Sequence, residues 1–188
     1  MKTIILSLTL LSILFVACNN EGSDKKVSDS TVSAGTIDKQ TTENKMPASE
    51  ILTGYLKLKN ALTNDNDQEA SAAATELAKA FEDMDKTALN AEQSQVYIDV
   101  KADAIEHAEH IAANAGNIVH QREHFETLSE EVYELVKATG AGQKLYYTNC
   151  PMYNNNKGAN WLSETKEVKN PYLGQAMSTC GSVKEELN

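Results

Sequence analysis

The stretch AIEHAEHIAANAGNIVHQREHFETLSEEVYELVKATG (residues 104–140) contains two runs of apolar side chains, separated by Gly116-Asn117. In each run the apolar residues recur every three or four positions, which is the spacing of one face of an α-helix. Gly140 ends the second run, as glycine commonly does after a helix. The stretch therefore predicts two amphipathic helices joined by a turn.

Two further runs of the same kind precede it. The first follows Ser49, a residue type suited to an N-cap, and stops at the polar segment 64–67; the second covers residues 68 to about 84, and a third helix begins after Asn90. Four helices with short connections predict an all-α fold: an antiparallel four-helix bundle with an irregular C-terminal segment that ends in a short helix. The apolar positions of the four helices are Ile51, Tyr55, Leu58 and Leu62; Ala70, Ala73, Leu77, Phe81 and Met84; Val96, Tyr97, Val100, Ala104, Ile105, Ala108 and Ile111; and Ile118, Phe125, Leu128, Val132 and Leu135.

The N-terminus has the pattern of a lipoprotein-type signal peptide over residues 1–17. Its apolar run, Ile4–Val16, is too short to span a bilayer and has the length of a signal-peptide core. Ala17-Cys18 resembles a bacterial lipobox, which implies cleavage before Cys18 and lipid modification of that cysteine. Residues 18–47 are polar and predict a lipid-anchored flexible tether, and residues 48–188 form the helical-bundle domain. We therefore expect a protein of the cell envelope, anchored to the outer membrane and facing the periplasm.

Charge and motifs restrict the function. The formal net charge of −10 argues against a nucleic-acid partner, because no basic stripe is present to neutralise phosphates. There is no H-E-x-x-H zinc-protease motif, and no arrangement of nucleophile, base and orienting group is visible. A pair of cysteines 30 positions apart does not suggest catalysed thiol–disulfide exchange either. The sequence predicts a binding protein, not an enzyme.

Sulfur is concentrated in residues 149–181. With Cys18 assigned to the lipid anchor, Cys150 and Cys180 remain as a pair in an oxidising compartment. In an extended Cys-Pro-Met segment, Cys150 and Met152 point the same way, while a helix predicted over residues 171–180 places Met177 and Cys180 on one face. Each half of the segment therefore presents a thiol and a thioether together.

These residues support two hypotheses, which the sequence leaves open. In the first, the four sulfur atoms converge on a soft metal ion, since thiolates and thioethers suit Cu(I). In the second, Cys150 and Cys180 form a disulfide, whose loop of about 31 residues would stabilise the fold by roughly 3.5 kcal/mol.

Four histidines lie on the third and fourth predicted helices. His107 and His110 are three positions apart and His120 and His124 four, so each pair shares one face of its helix. They are either ordinary edge residues or a source of nitrogen ligands for the sulfur site, with His110 or His124 the first candidates.

Five motifs taken together resemble a known family. They are HAEHI (107–111), HQREHFETLSEEVYEL (120–135), YYTNCPM (146–152), GANWLS (158–163) and NPYLGQAMSTCG (170–181), and they resemble domain of unknown function 3347. That family occurs in Bacteroidota-type lipoproteins and as a domain appended to copper/silver efflux adaptors. The resemblance implies a periplasmic Cu(I)- or Ag(I)-binding protein that sequesters the metal or hands it to an efflux system, with a heavy-metal efflux adaptor or another envelope protein as partner. The alternative is a disulfide-stapled interaction module without metal.

Overall fold

Four long helices make up most of the described chain. The computed structural model describes residues 46–188, so Cys18, the predicted signal peptide and the predicted tether up to residue 45 lie outside the described residues. The helices are α1 (Ser49–Thr63), α2 (Asp67–Asp83), α3 (Ala91–Ala113) and α4 (Ile118–Thr139). They confirm the four predicted helices, and α1 packs on α2, α2 on α3, α3 on α4 and α4 on α1. Within residues 46–188, no helix combines the length and apolar composition that crossing a bilayer requires.

Asparagine side chains start three of these helices. Asn66 accepts a hydrogen bond from the backbone N–H of Glu69, Asn90 forms a reciprocal capping box with Gln93, and Asn117 accepts from the N–H of His120. Each cap satisfies a backbone donor that the first helical turn leaves without a partner. The polar segment at residues 64–67 is therefore the turn and cap that begin α2.

The prediction of an all-α fold is wrong, because residues 145–187 contain a three-stranded antiparallel sheet. The strands are β1 (Leu145–Cys150), β2 (Ala159–Ser163) and β3 (Ser182–Leu187), in the order β2-β1-β3. The described chain thus closes with a strand and not with a short helix. The predicted helix over residues 171–180 is replaced by a single 3₁₀ turn, Gly174–Met177.

Gly174 explains the missing helix. Its φ of +51° lies in the left-handed region, which disfavours residues with a Cβ and interrupts a right-handed helix. A Cβ at this position would also collide with the side chains of Asp65 and Arg122. The C-terminal segment is held here by its contacts with the α1–α2 turn and α4, which override its local helical signals.

Buried polar side chains fasten the sheet to the helices. The Tyr55 hydroxyl, on α1, lies 3.0 Å from the Ser129 hydroxyl on α4 and accepts a 3.0 Å hydrogen bond from the N–H of Leu162 on β2. Arg122, on α4, donates to the carbonyl oxygens of Pro171 and Leu62 at 2.7 and 2.8 Å. Because Tyr55 and Arg122 are both buried, these hydrogen bonds replace bonds to water.

We predict that Tyr55→Phe destabilises the protein by about 1–3 kcal/mol, because it leaves the buried N–H of Leu162 without an acceptor. Urea unfolding measures the change. Ile98→Ala is the control, since Ile98 is 61% exposed and its loss should change the free energy of unfolding by no more than about 0.5 kcal/mol. If the two substitutions had equal effects, the Tyr55 hydroxyl would not be what connects the sheet to the helices.

Candidate functional site

All four histidines converge at the edge between α3 and α4. His107 and His110 come from the end of α3, and His120 and His124 from the start of α4. Nδ1 of His124 lies 3.0 Å from Nδ1 of His107, and Nε2 of His124 lies 3.2 Å from Nε2 of His120. The ring of His110 stacks on that of His124, with centroids 4.4 Å apart. His124 is therefore the centre of the cluster.

Three of the rings offer ligand atoms to a common point. Nitrogen atoms of His110, His120 and His124 all lie within 4.8 Å of one another. The side chains of His110 and His120 are 48% and 36% exposed, so the group opens to solvent. His107 stands behind it, in contact with His124.

The surroundings of His107 and His124 favour the neutral imidazole, which is the form that binds metals. Burial lowers the pKa of His107 and His124, and for His124 the neighbouring histidines lower it further. Nδ1 of His120 lies 3.0 Å from a carboxylate oxygen of Glu123. A hydrogen bond donated from Nδ1 to that carboxylate leaves the Nε2 lone pair of His120 directed at His124, as second-layer carboxylates do in metal sites.

Helical spacing pairs the histidines only within each helix, so it does not predict this cluster. The signal that could reveal it is symmetry about the turn: the midpoints of His107 and His124 and of His110 and His120 both fall at residues 115–116. In an antiparallel helical hairpin, residues equally far from the turn meet across the interface.

A buried carboxyl group belongs to the same α3–α4 interface. Oε2 of Glu131, on α4, is buried and has no hydrogen-bond partner among residues 46–188. Burial raises the pKa of Glu131 to about 8, and the charges of Asp103 and Glu134 contribute in the same direction. The surroundings of Glu131 therefore favour the protonated form of its carboxyl group.

The two cysteines form a second group, at the junction of β1 and β3. Cys150 is the last residue of β1, and Cys180 lies two residues before β3. Their sulfur atoms are 3.1 Å apart, and both are free thiols. Cys150 is fully buried, whereas Cys180 is half-buried. The structure thus brings together the pair on which both sulfur hypotheses depend.

The two thiols differ in acidity. Burial raises the pKa of Cys150, but hydrogen bonds from Cys180, from the N–H groups of Met152 and Tyr153 and from the Asn170 side chain outweigh it, so the net shift is downward. The pKa of Cys180 is raised, mainly by its hydrogen bond with Cys150. Cys150 is therefore the more stable thiolate.

The other predicted sulfur ligands lie at the surface. Met152 and Met177 are 51% and 40% exposed, in the turns that follow β1 and precede Cys180. Within residues 46–188, the three-histidine group includes no cysteine, so histidines and cysteines form separate groups. The expected addition of histidine nitrogen to the sulfur site is not a feature of this arrangement.

We predict that Glu131→Gln stabilises the protein at high pH. The folded-state pKa of about 8 lies above the ordinary 4.5, so the favourable contribution is complete below pH 4.5 and declines as the pH rises towards 8. Glutamine avoids burying the charge, and we expect a gain of about 1–2 kcal/mol at pH 9 and none at pH 4. Urea unfolding at both pH values tests this, with Glu82→Gln, an exposed glutamate on α2, as the control. A gain independent of pH would contradict the burial of a charged carboxylate at Glu131.

Comparison with known proteins identifies a family. The family described as "Protein of unknown function (DUF3347)" matches residues 51–144, half of the 188-residue chain. The matched part contains all four histidines and ends directly before β1, so both cysteines lie beyond it. No curated protein and no solved structure matches the chain. The chain belongs to the DUF3347 family, as its sequence motifs predict.

Proposed function

We propose that this chain is a lipid-anchored envelope protein that binds copper, as Cu(I), or its soft relative Ag(I), and either sequesters the ion or hands it to an efflux system. The observation that carries the proposal is the convergence of His110, His120 and His124, three imidazoles from two helices, at one partly exposed point. These three residues are the proposed ligands.

The spacing of the donors fits a metal ion. Two metal–nitrogen bonds of about 2.0–2.1 Å at a tetrahedral angle place their nitrogens about 3.3 Å apart. Nε2 of His120 and Nε2 of His124 are 3.2 Å apart. The Glu123 carboxylate and His107 occupy the far nitrogens of these two rings, which orients both Nε2 atoms inward.

The donor chemistry is compatible with copper. Imidazole is a ligand for copper as well as for zinc and nickel. Copper also accepts thiolate and thioether, so exposed Met152 and Met177 remain candidate sites of capture or exchange. The net charge of −10 favours cations over anions as partners.

The proposed scaffold is an antiparallel four-helix bundle carrying the small sheet. It is supported by the contacts of α1 with α2, α2 with α3, α3 with α4 and α4 with α1. The Ala17-Cys18 motif supports lipid anchoring at the outer membrane, and an open metal site suits transfer to a partner such as a heavy-metal efflux adaptor.

We predict that the full chain binds one Cu(I) and that His120→Gln with His124→Gln weakens binding more than about 100-fold, because two ligands are lost. The measurement is competition against a Cu(I) chelator under reducing conditions, with Cys18→Ser throughout to remove the third thiol. Absorption at the copper K-edge should show nitrogen neighbours at about 2.0 Å and not sulfur at about 2.3 Å.

Matched variants separate the two donor groups. His107→Gln also removes a histidine but leaves the three ligands, and should cost about tenfold. Met152→Leu with Met177→Leu, and Cys150→Ser with Cys180→Ser, should retain the bound ion. If the sulfur variants release copper and the histidine variant keeps it, the metal site is at the cysteines. If no variant changes the affinity, neither group is the site.

A second candidate function, a disulfide-stapled interaction module, is favoured by the spacing of the cysteine sulfurs. Two metal–sulfur bonds of about 2.3 Å at a tetrahedral angle require sulfurs about 3.8 Å apart. The Cys150 and Cys180 sulfurs are only 3.1 Å apart, which suits direct bonding between them better than a shared ion. In this function the staple holds the C-terminal segment against α4 for contact with another envelope protein.

We predict that oxidation of the pair raises the free energy of unfolding by about 3.5 kcal/mol, because the crosslink reduces the entropy of the unfolded chain. Urea unfolding of the Cys18→Ser chain with and without dithiothreitol measures the difference. The Cys150→Ser, Cys180→Ser double variant should show no effect of dithiothreitol. If the oxidised and reduced forms of the intact pair were equally stable, the disulfide would not be a structural staple.

A further inference from the structure

We propose that Cys150 and Cys180 form an exchangeable disulfide whose reaction with external thiols is directional: the external thiol attacks Cys180, and Cys150 is the leaving group. The reaction partners are low-molecular-weight thiols and disulfides, or the dithiols of envelope proteins. The proposal does not depend on the histidine cluster, and it holds whether or not that cluster binds copper.

The geometry brings the pair close to bonding. The two sulfurs are 3.1 Å apart, at a place where β1 and β3 are already paired through Asn149 and Ser182. Forming a disulfide from this position needs the sulfurs to approach by about 1 Å. The strand pairing therefore supplies the proximity that the 30-residue separation in sequence does not.

Access to the two sulfurs is unequal. Cys150 has no exposed surface, while Cys180 is half-buried between exposed Thr179 and the start of β3. Thiol–disulfide exchange requires the incoming sulfur to reach the sulfur that it attacks. An external thiolate can approach Cys180 from solvent but not Cys150.

The leaving group is the sulfur that the protein stabilises as a thiolate. The Cys150 sulfur is buried 3.1 Å from the Cys180 sulfur, and this contact, together with the backbone of Met152 and Tyr153 and the Asn170 side chain, lowers the pKa of its thiol more than burial raises it. Asn170 is fully buried and fixed, since its oxygen accepts from the N–H groups of Tyr172 and Leu173 and its amide donates to the Cys180 carbonyl at 2.7 Å. A stabilised leaving thiolate accelerates exchange, so access and leaving-group stability select the same direction.

The reaction balances with two external thiolates. The first attacks Sγ of Cys180; a mixed disulfide forms there, the Cys150–Cys180 bond breaks, and its electron pair remains on Cys150. The second thiolate attacks the external sulfur of the mixed disulfide and releases Cys180. The protein disulfide is reduced to two thiols and the two external thiols are oxidised to one disulfide; the reverse sequence re-forms the staple.

The direct test uses the full Cys18→Ser chain, oxidised with glutathione disulfide and then mixed with reduced glutathione. Samples are quenched with iodoacetamide over time, and mass spectrometry of peptides locates the glutathione adduct. We expect the adduct on Cys180 in about tenfold or greater excess over Cys150. A predominance of Cys150 adducts, equal labelling, or two thiols that never oxidise would each overturn the proposal.

Single-cysteine variants provide a second readout. Cys150→Ser leaves only the accessible thiol and Cys180→Ser only the buried one, so Cys180 should react with a disulfide reagent about tenfold or more faster. Near-ultraviolet circular dichroism checks that both variants are folded. If either is unfolded, the adduct ratio in the intact pair decides alone. Faster reaction of the Cys150 thiol in a folded variant would contradict the proposal.

Discussion

The attachment of the C-terminal segment to α4 is the constraint on which the rest of the structure depends. A three-stranded sheet of five- and six-residue strands has little core of its own and needs a partner surface. Two buried polar groups supply the connection: the Tyr55 hydroxyl links α1 and α4 to β2, and the Arg122 guanidinium binds carbonyls of α1 and of the C-terminal segment. The hydrogen bonds of each group form only when α1, α4 and the C-terminal segment are all in place. The two groups therefore determine how the sheet packs against the helices.

The histidine cluster and the C-terminal segment that carries the cysteine pair contact different sides of α4. One side carries His120 and His124 towards α3, where they meet His107 and His110. The other carries Glu126 and Glu130 towards the segment after β1 and towards β2, through hydrogen bonds with Asn154 and Asn160. The nitrogen donors and the thiols thus form separate groups, so the proposed metal binding and the proposed thiol–disulfide exchange do not share residues.

The distances between donor atoms distinguish the histidine cluster from the cysteine pair. The 3.2 Å between imidazole nitrogens suits two bonds to one ion, whereas the 3.1 Å between thiol sulfurs is short for a shared ion and close to direct bonding. The residues matched by the family, 51–144, include the four histidines and end before Cys150 and Cys180. The proposed metal site therefore lies within the matched residues, and the thiol pair lies after them.

The sequence by itself determined the four helices, because their apolar residues recur at helical spacing and asparagine or glycine stands at their ends. It also identified every residue of both groups: the four histidines and the two cysteines. It could not reveal the sheet, since β1 is central and carries a buried polar residue, Thr148, where an alternating strand pattern would show an apolar one. Nor could it reveal that Gly174 adopts a left-handed conformation against Asp65 and Arg122. The meeting of the histidines across α3 and α4, and of the cysteines across β1 and β3, was decided by the tertiary structure, because periodicity describes one element at a time and contacts between elements depend on how they pack.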